Sequence, residues 1–193
     1  MVILCEVQVE RYPFKYLSTP WNAANKITPI GNNRLIAKKE GKYGVISVDN
    51  GTTNQVVDFL FNKLVGAKNH QYRIMLAGGH FIQRDEAFLQ TVLLQTDKCL
   101  VVDAPDGTLQ IIFRDTLIHK YQELNYLGEN VFIAKNFSGK YGIIRCHSKY
   151  AETVRPFEYN DIQLSENGQN VLLYKTGRPR FIPVRSLTDN SSS

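Results

Sequence analysis

The sequence predicts an all-β protein made of quasi-repeated antiparallel β-hairpins, with a period of about 40 residues in a duplicated array. Three observations predict this. Two long segments match one another in register, the apolar runs are only three or four residues long, and Gly- or Asn-bearing breaks separate them. Runs of that length are too short for stable helices and suit strands.

The match opens with Gly31-Asn32-Asn33-Arg34-Leu35-Ile36-Ala37-Lys38 against Gly128-Glu129-Asn130-Val131-Phe132-Ile133-Ala134-Lys135, at an offset of 97 residues. One residue is then inserted, and Gly41-Lys42-Tyr43-Gly44-Val45-Ile46 reads against Gly139-Lys140-Tyr141-Gly142-Ile143-Ile144 at 98. The register continues through Phe59/Phe157, Phe61/Tyr159, Asn62/Asn160 and Leu64/Ile162 to Ile74-Met75 against Leu172-Leu173, and after a two-residue slip to Phe81-Ile82 against Phe181-Ile182. Val2-Ile3-Leu4-Cys5-Glu6 aligns in the same way with Cys99-Leu100-Val101-Val102-Asp103.

Within each copy, Leu35-Ile36-Ala37 predicts one strand and Tyr43-Gly44-Val45-Ile46 the next. The glycine between them supplies the positive φ of a hairpin turn. Asp49-Asn50-Gly51-Thr52 and Pro105-Asp106-Gly107-Thr108 carry further turn signals. Residues 56–66 fit either an amphipathic helix or a strand; Pro156 in the second copy favours the strand. The Gly of each Tyr-Gly pair implies a bulge or a close backbone approach, with the aromatic ring lying over a bare neighbouring backbone. The array divides into halves 1–97 and 98–186, followed by a disordered tail at 187–193. Closure into a barrel, a propeller or a solenoid stays open.

Gly-Lys-Tyr-Gly-Val-Ile, then Asp-Asn-Gly, an aromatic segment and Asn-Lys-Leu resembles the bacterial WG repeat, with Tyr43 and Tyr141 in place of the family's Trp. The resemblance implies a β-rich repeat without shared catalytic residues. It also implies bacterial origin and a binding role, since some members are concerned with toxins and surface interaction.

Composition narrows the function classes. Hydrophobic residues make up 43% and charged residues 21%, close to the globular norm. No apolar run is long enough for a membrane-spanning helix, and the N-terminus lacks the basic region of a signal peptide, so a cytoplasmic protein without membrane contact is expected. Cys5, Cys99 and Cys146 show no zinc-ligand spacing and read as small apolar thiols, so neither a disulfide framework, nor a metal, nor a cofactor is expected. The net charge of +5 is spread along the chain apart from basic clusters at hairpin tips.

Those clusters hold the candidate binding residues: Lys38 and Lys42, Lys135 and Lys140, and Lys175, Arg178 and Arg180. Stacked in one sense they would form a positive stripe facing nucleic acid or an acidic protein; solvated tips are the plainer reading. Phe14, Tyr16, Trp21 and Tyr126 are candidate contact aromatics that also suit a core. Ala77-Gly78-Gly79-His80 reads as a hairpin turn and not a phosphate loop, because no helix follows directly. Adjacent Cys146 and His147 would point to opposite faces of a strand. Asp85-Glu86 and Asp103/Asp106 read as surface turns, and an enzyme would place His119 beside Asp115 or Glu123. The leading expectation is a non-catalytic protein-binding module, sharpened to an immunity protein that neutralises a toxin by binding it.

Overall fold

The computed structural model of the protein describes residues 27–113 and 116–189. Expectations placed on the Val2–Glu6 match, Cys5, Phe14, Tyr16, Trp21, Asp115 and residues 190–193 lie outside them. Among the described residues the chain forms five open antiparallel sheets in which hydrogen-bonded neighbours are consecutive strands. Two compact units result: unit 1 holds residues 27–75 and 79–95, and unit 2 holds 76–78 and 96–189.

Unit 1 begins with a four-stranded meander: β1 (Ile27–Gly31), β2 (Arg34–Lys39), β3 (Lys42–Asp49) and β4 (Thr52–Phe61). The turns are tight because their residues accept positive φ: Asn32 and Asn33, Glu40 and Gly41, Asn50 and Gly51. The strand reading of residues 56–61 therefore holds over the helical one. Leu35, Ala37, Ile46 and Val48 form a core cluster under Phe59. Ile36 and Val45, on the opposite face of β2 and β3, are buried as well, which accounts for continuous apolar runs in place of alternation. A three-stranded sheet follows, β5 (Leu64–Gly66), β6 (Gln71–Met75) and β7 (Phe81–Asp85). The β6–β7 connection turns through Gly78 and Gly79, both with positive φ, as the hairpin reading expected.

The repeat reading did not anticipate the next element, α1 (Glu86–Thr91), which leads into β8 (Val92–Gln95). Asp85 caps this helix by accepting the Phe88 N–H at 2.8 Å, and Leu89 is its buried anchor. Asp85 and Glu86 thus serve separate roles, one as cap and the other as ion-pair partner.

Unit 2 opens with β9 (Leu100–Asp103), β10 (Leu109–Phe113) and β11 (Thr116–Tyr121), and then repeats the plan of unit 1. Its four-stranded sheet is β12 (Glu123–Gly128), β13 (Val131–Lys135), β14 (Tyr141–Cys146) and β15 (Ala151–Tyr159). Its three-stranded sheet is β16 (Asp161–Leu164), β17 (Asn170–Tyr174) and β18 (Arg180–Pro183), followed by α2 (Val184–Thr188). Residues 187–189 belong to the packed fold and not to a tail, because Leu187 is 1% exposed within the core.

The duplication extends to irregularities of pairing. In unit 1, Tyr43 pairs with Phe61, Val45 with Val57 and Ile46 with Gln55, so β4 bulges against β3. In unit 2, Tyr141 pairs with Tyr159, Ile143 with Arg155 and Ile144 with Thr153, the same shifts at the same positions. The bulge explains the glycines. A Cβ on Gly44 would sit 2.7 Å from the Val57 carbonyl oxygen, and one on Gly142 would sit 2.9 Å from that of Arg155. Beside Gly142 the Phe157 ring also lies close, 3.0 Å from the added Cβ. Close approach of the bulged strand's backbone drives the motif in both copies, as the strand glycine implied.

The copies diverge after β5 and β16. Leu64 pairs with Ile74 whereas Ile162 pairs with Leu173, because the β16–β17 turn has one more residue. Phe81 then pairs with Met75, and Phe181 with Leu172. The sequence match of Phe81-Ile82 to Phe181-Ile182 is thus corrected: Ile82 lies opposite Ile74, while Arg180 lies opposite Leu173.

Candidate functional site

The basic candidates fall on three hairpins, and five of the seven are engaged locally. Lys38 lies directly across from Tyr43 and places its ammonium 5.3 Å from the ring centre; Lys135 does the same over Tyr141 at 5.1 Å. Lys135 also donates to Glu123 at 2.8 Å, and the Tyr141 hydroxyl donates to the other Glu123 oxygen at 2.8 Å. The Lys135 charge, then the tyrosine bond, hold the Glu123 carboxyl below its usual range. Lys42 donates to Asn62 and Lys140 to Asn160, each at 2.5 Å. Lys175 pairs with Glu158. Arg178 and Arg180 are exposed, one in the β17–β18 turn and the other at the start of β18.

Sequence reasoning missed a polar cluster in unit 1. Arg34 on β2 donates to Glu86 through Nε at 3.0 Å and Nη2 at 3.3 Å, and the Tyr72 hydroxyl donates to Glu86 Oε2 at 2.9 Å. Burial, reinforced by the Glu86 bond, pushes the Tyr72 hydroxyl far above its usual pKa. The Arg34 guanidinium is raised by the same carboxylate. These groups line a cleft of about 230 Å³, with Asn32 and His70 hydrogen-bonded at its rim at 2.7 Å. The register equivalents of Arg34 and Tyr72 in unit 2 are Val131 and Val171, both wholly buried with Ile182 and Leu187 in an apolar core. The partners are spread along the chain, Tyr72 lying 14 residues and Arg34 52 residues before Glu86, which hides the cluster. The one signal was Arg34 aligned with Val131 inside an apolar match.

The other candidates do not assemble into a catalytic group. His147 stacks on Tyr150 and pairs with Glu152 at 3.0 Å, while Cys146 points into the core. His119 neighbours the Tyr121 ring at 6.1 Å, and Glu123 is committed to Lys135 and Tyr141. Asp106 accepts from Lys120 of β11 and from Thr108 in its own turn, which lowers its carboxyl to about 2. No cluster of metal-ligating side chains is found among the described residues.

The surface aromatics separate the units. In unit 1 the rings are shielded by cations: Phe81 by Arg73 at 4.8 Å and Lys63 at 5.9 Å, Phe88 by Arg84 at 5.3 Å. In unit 2, Tyr126, Phe137, Tyr150 and Phe181 are 45–62% exposed. Phe137 sits in the β13–β14 turn, Tyr150 in the β14–β15 turn, and Phe181 on the face of β18 opposite buried Ile182. Tyr126, expected as a contact or core residue, is half out, with its ring tilted against Phe132 at 5.0 Å.

Among the described residues no helix is long and apolar enough to cross a membrane. No family model and no curated protein match the chain. Solved structures that resemble it include KlHsv2 with loop 6CD replaced by a Gly-Ser linker (12% identity over 83% of this chain and 64% of that one, TM-score 0.29). Others are the WD40 β-propeller domain of Doa1 (10% identity, 81% of each chain, TM-score 0.25) and YCF48 bound to D1 peptide (11%, 86% of this chain and 65% of that one, TM-score 0.24). The chain spans under two thirds of the KlHsv2 and YCF48 chains, and at these TM-scores the likenesses carry no argument for function.

Proposed function

We propose that the protein is a non-catalytic protein-binding module of a bacterial cytoplasm, and in its sharpest form an immunity protein that neutralises a toxin by covering it. One observation carries this reading: among the described residues, every aromatic side chain left broadly exposed belongs to unit 2, on two turns and two strands held by regular sheets. Exposed rings on a rigid backbone are the anchors that protein interfaces use, since they bury large area at little entropic cost.

Affinity purification of the full chain from its own organism tests the idea. The expected result is a stoichiometric protein partner that arrests growth when expressed alone and is relieved by co-expression of this chain. The triple variant Phe137→Asp, Tyr150→Asp, Phe181→Asp should weaken that complex at least about tenfold. Retention by the triple variant, or growth arrest unrelieved by co-expression, would overturn the proposal.

A second reading is nucleic-acid binding, favoured by one feature: exposed Arg178 and Arg180 stand within three residues of exposed Phe181, charge for backbone contact and a ring for base stacking on one short segment. Bound nucleic acid with steeply salt-dependent affinity would favour it over the first.

A further inference from the structure

The duplication exposes an exchange that packing does not explain. Strand pairing sets Arg34 opposite Gly31, Tyr72 opposite Gly66 and Gln71 opposite Asp85 in unit 1. In unit 2 it sets Val131 opposite Gly128, Val171 opposite Leu164 and Asn170 opposite Pro183. Arg34, Tyr72 and Glu86 therefore stand where unit 2 has Val131, Val171 and Val184, three valines of one apolar core. A part-buried ion pair adds little stability over packed valines, so stability alone does not account for the polar set. Gly66 stands in place of Leu164, and a Cβ on it would lie 2.6 Å from Ile30 Cγ2. The bare backbone thus admits Ile30 as one wall of the cleft that the polar set lines.

We propose that the cleft of unit 1 binds a small organic monocarboxylate, its carboxylate on the Arg34 guanidinium and its apolar body against Ile30 and Ala67. Glu86 takes the Nε–H of Arg34 and one N–H of Nη2, the side-on edge of the guanidinium. The Tyr72 hydroxyl donates to the same carboxylate and holds that geometry. Three N–H groups remain on the Nη1–Nη2 edge, and none has an acceptor among the described residues. Two of them run parallel, the arrangement that a planar carboxylate accepts in paired bonds. Among the described residues lining the cleft, Arg34 is the only lysine or arginine, and Glu86 already offsets its charge. A singly charged acid therefore fits better than a dianionic phosphate. The volume of about 230 Å³ exceeds the roughly 150 Å³ that encloses benzene, so an acid of benzoate's size can enter. The bond of Asn32 to His70 at 2.7 Å joins the β1–β2 and β5–β6 turns and fixes the rim.

The test titrates the isotopically labelled full chain with sodium benzoate and with sodium butyrate, followed by amide NMR. At least one acid should give saturable shifts at Asn32, His70 and Tyr72, with a dissociation constant below about 1 mM. Benzamide, which lacks the charge, should bind at least about tenfold more weakly than benzoate. Arg34→Lys keeps the charge but loses the fork, and should weaken binding at least about tenfold. Ala67→Leu fills the apolar wall without touching the ion pair and should do the same, so a folding defect in the arginine variant does not decide the outcome. Phe181→Asp should leave binding unchanged, which separates this site from partner capture by the exposed rings of unit 2. The proposal is overturned by no saturable shift with either acid, by equal affinity for benzamide, or by tighter binding of inorganic phosphate. Unchanged binding in a folded Arg34→Lys or Ala67→Leu chain, or shifts confined to unit 2, would overturn it as well.

Discussion

The ammonium of Lys42 donates to the side-chain oxygen of Asn62, and in the second unit Lys140 does the same to Asn160. The lysine of the Gly-Lys-Tyr-Gly motif and the asparagine that follows the aromatic strand, 20 residues on, are thus partners. Asn160 in turn gives its backbone N–H to the Tyr174 carbonyl and its side-chain N–H to that of Lys175, at 2.8 and 2.9 Å. The pair ties the four-stranded sheet to the start of the three-stranded one. Replacing Lys42 or Lys140 by Met keeps the apolar stem and removes the donor. Each change should lower stability by about 1 kcal/mol, read from urea unfolding. No loss at either position would show the pair to be incidental.

The glycines of the two Tyr-Gly pairs should tolerate nothing larger. Gly44→Ala drives a methyl into the Val57 and Asp58 carbonyl oxygens, at 2.7 and 3.0 Å, and Gly142→Ala meets the Arg155 carbonyl oxygen at 2.9 Å. Neither strand can give without opening its bulge. Each substitution should cost about 2–4 kcal/mol, measured by chemical denaturation. A change below about 0.5 kcal/mol would mean that the bulge is not held in solution.

The polar cluster of unit 1 makes a contrasting prediction. Glu86→Ala strands the Arg34 guanidinium and the buried Tyr72 hydroxyl, and should cost about 1–3 kcal/mol. Arg34→Val combined with Tyr72→Val and Glu86→Ala imitates the apolar arrangement around Val131 and Val171, and should cost less than the sum of the three single changes. Additive losses in denaturant melts would count against a coupled cluster.

Alkaline pH should weaken unit 2 through Tyr121. Burial, then the neighbouring Cys146, raises its hydroxyl to about 12, and its ring stacks on Phe157 at 6.1 Å. The folded-state value lies above the unfolded one near 10, so the native chain holds this proton more tightly. That contribution is complete below about pH 10 and is lost as pH rises through about 12. Tyr121→Phe should flatten the fall in thermal stability across this window while leaving the stack in place. An unchanged slope in the variant would remove Tyr121 as the cause.

Much of the architecture was legible in the chain. Strand length, turn chemistry and the glycine before each apolar strand are local properties, and they repeat because the sequence repeats. Residues 31–64 and 128–162 accordingly carry the same strands and the same bulges. The sequence did not disclose the two short helices. Each spans five or six residues at the end of a unit, where the cap at Asp85 or the burial of Leu187 decides and no periodicity can build up.

Sequence by itself determined the hairpins, the duplication and the need for glycine at positions 44 and 142, because each rests on backbone geometry between near neighbours. Only the tertiary structure decided which side chains meet. It spent most of the anticipated lysine stripe on tyrosine rings, asparagines and carboxylates of the same unit, and left the aromatics of unit 2 uncovered. It set Arg34 and Tyr72 against Glu86. Such contacts join strands that are neighbours in space and distant along the chain, so no local pattern records them.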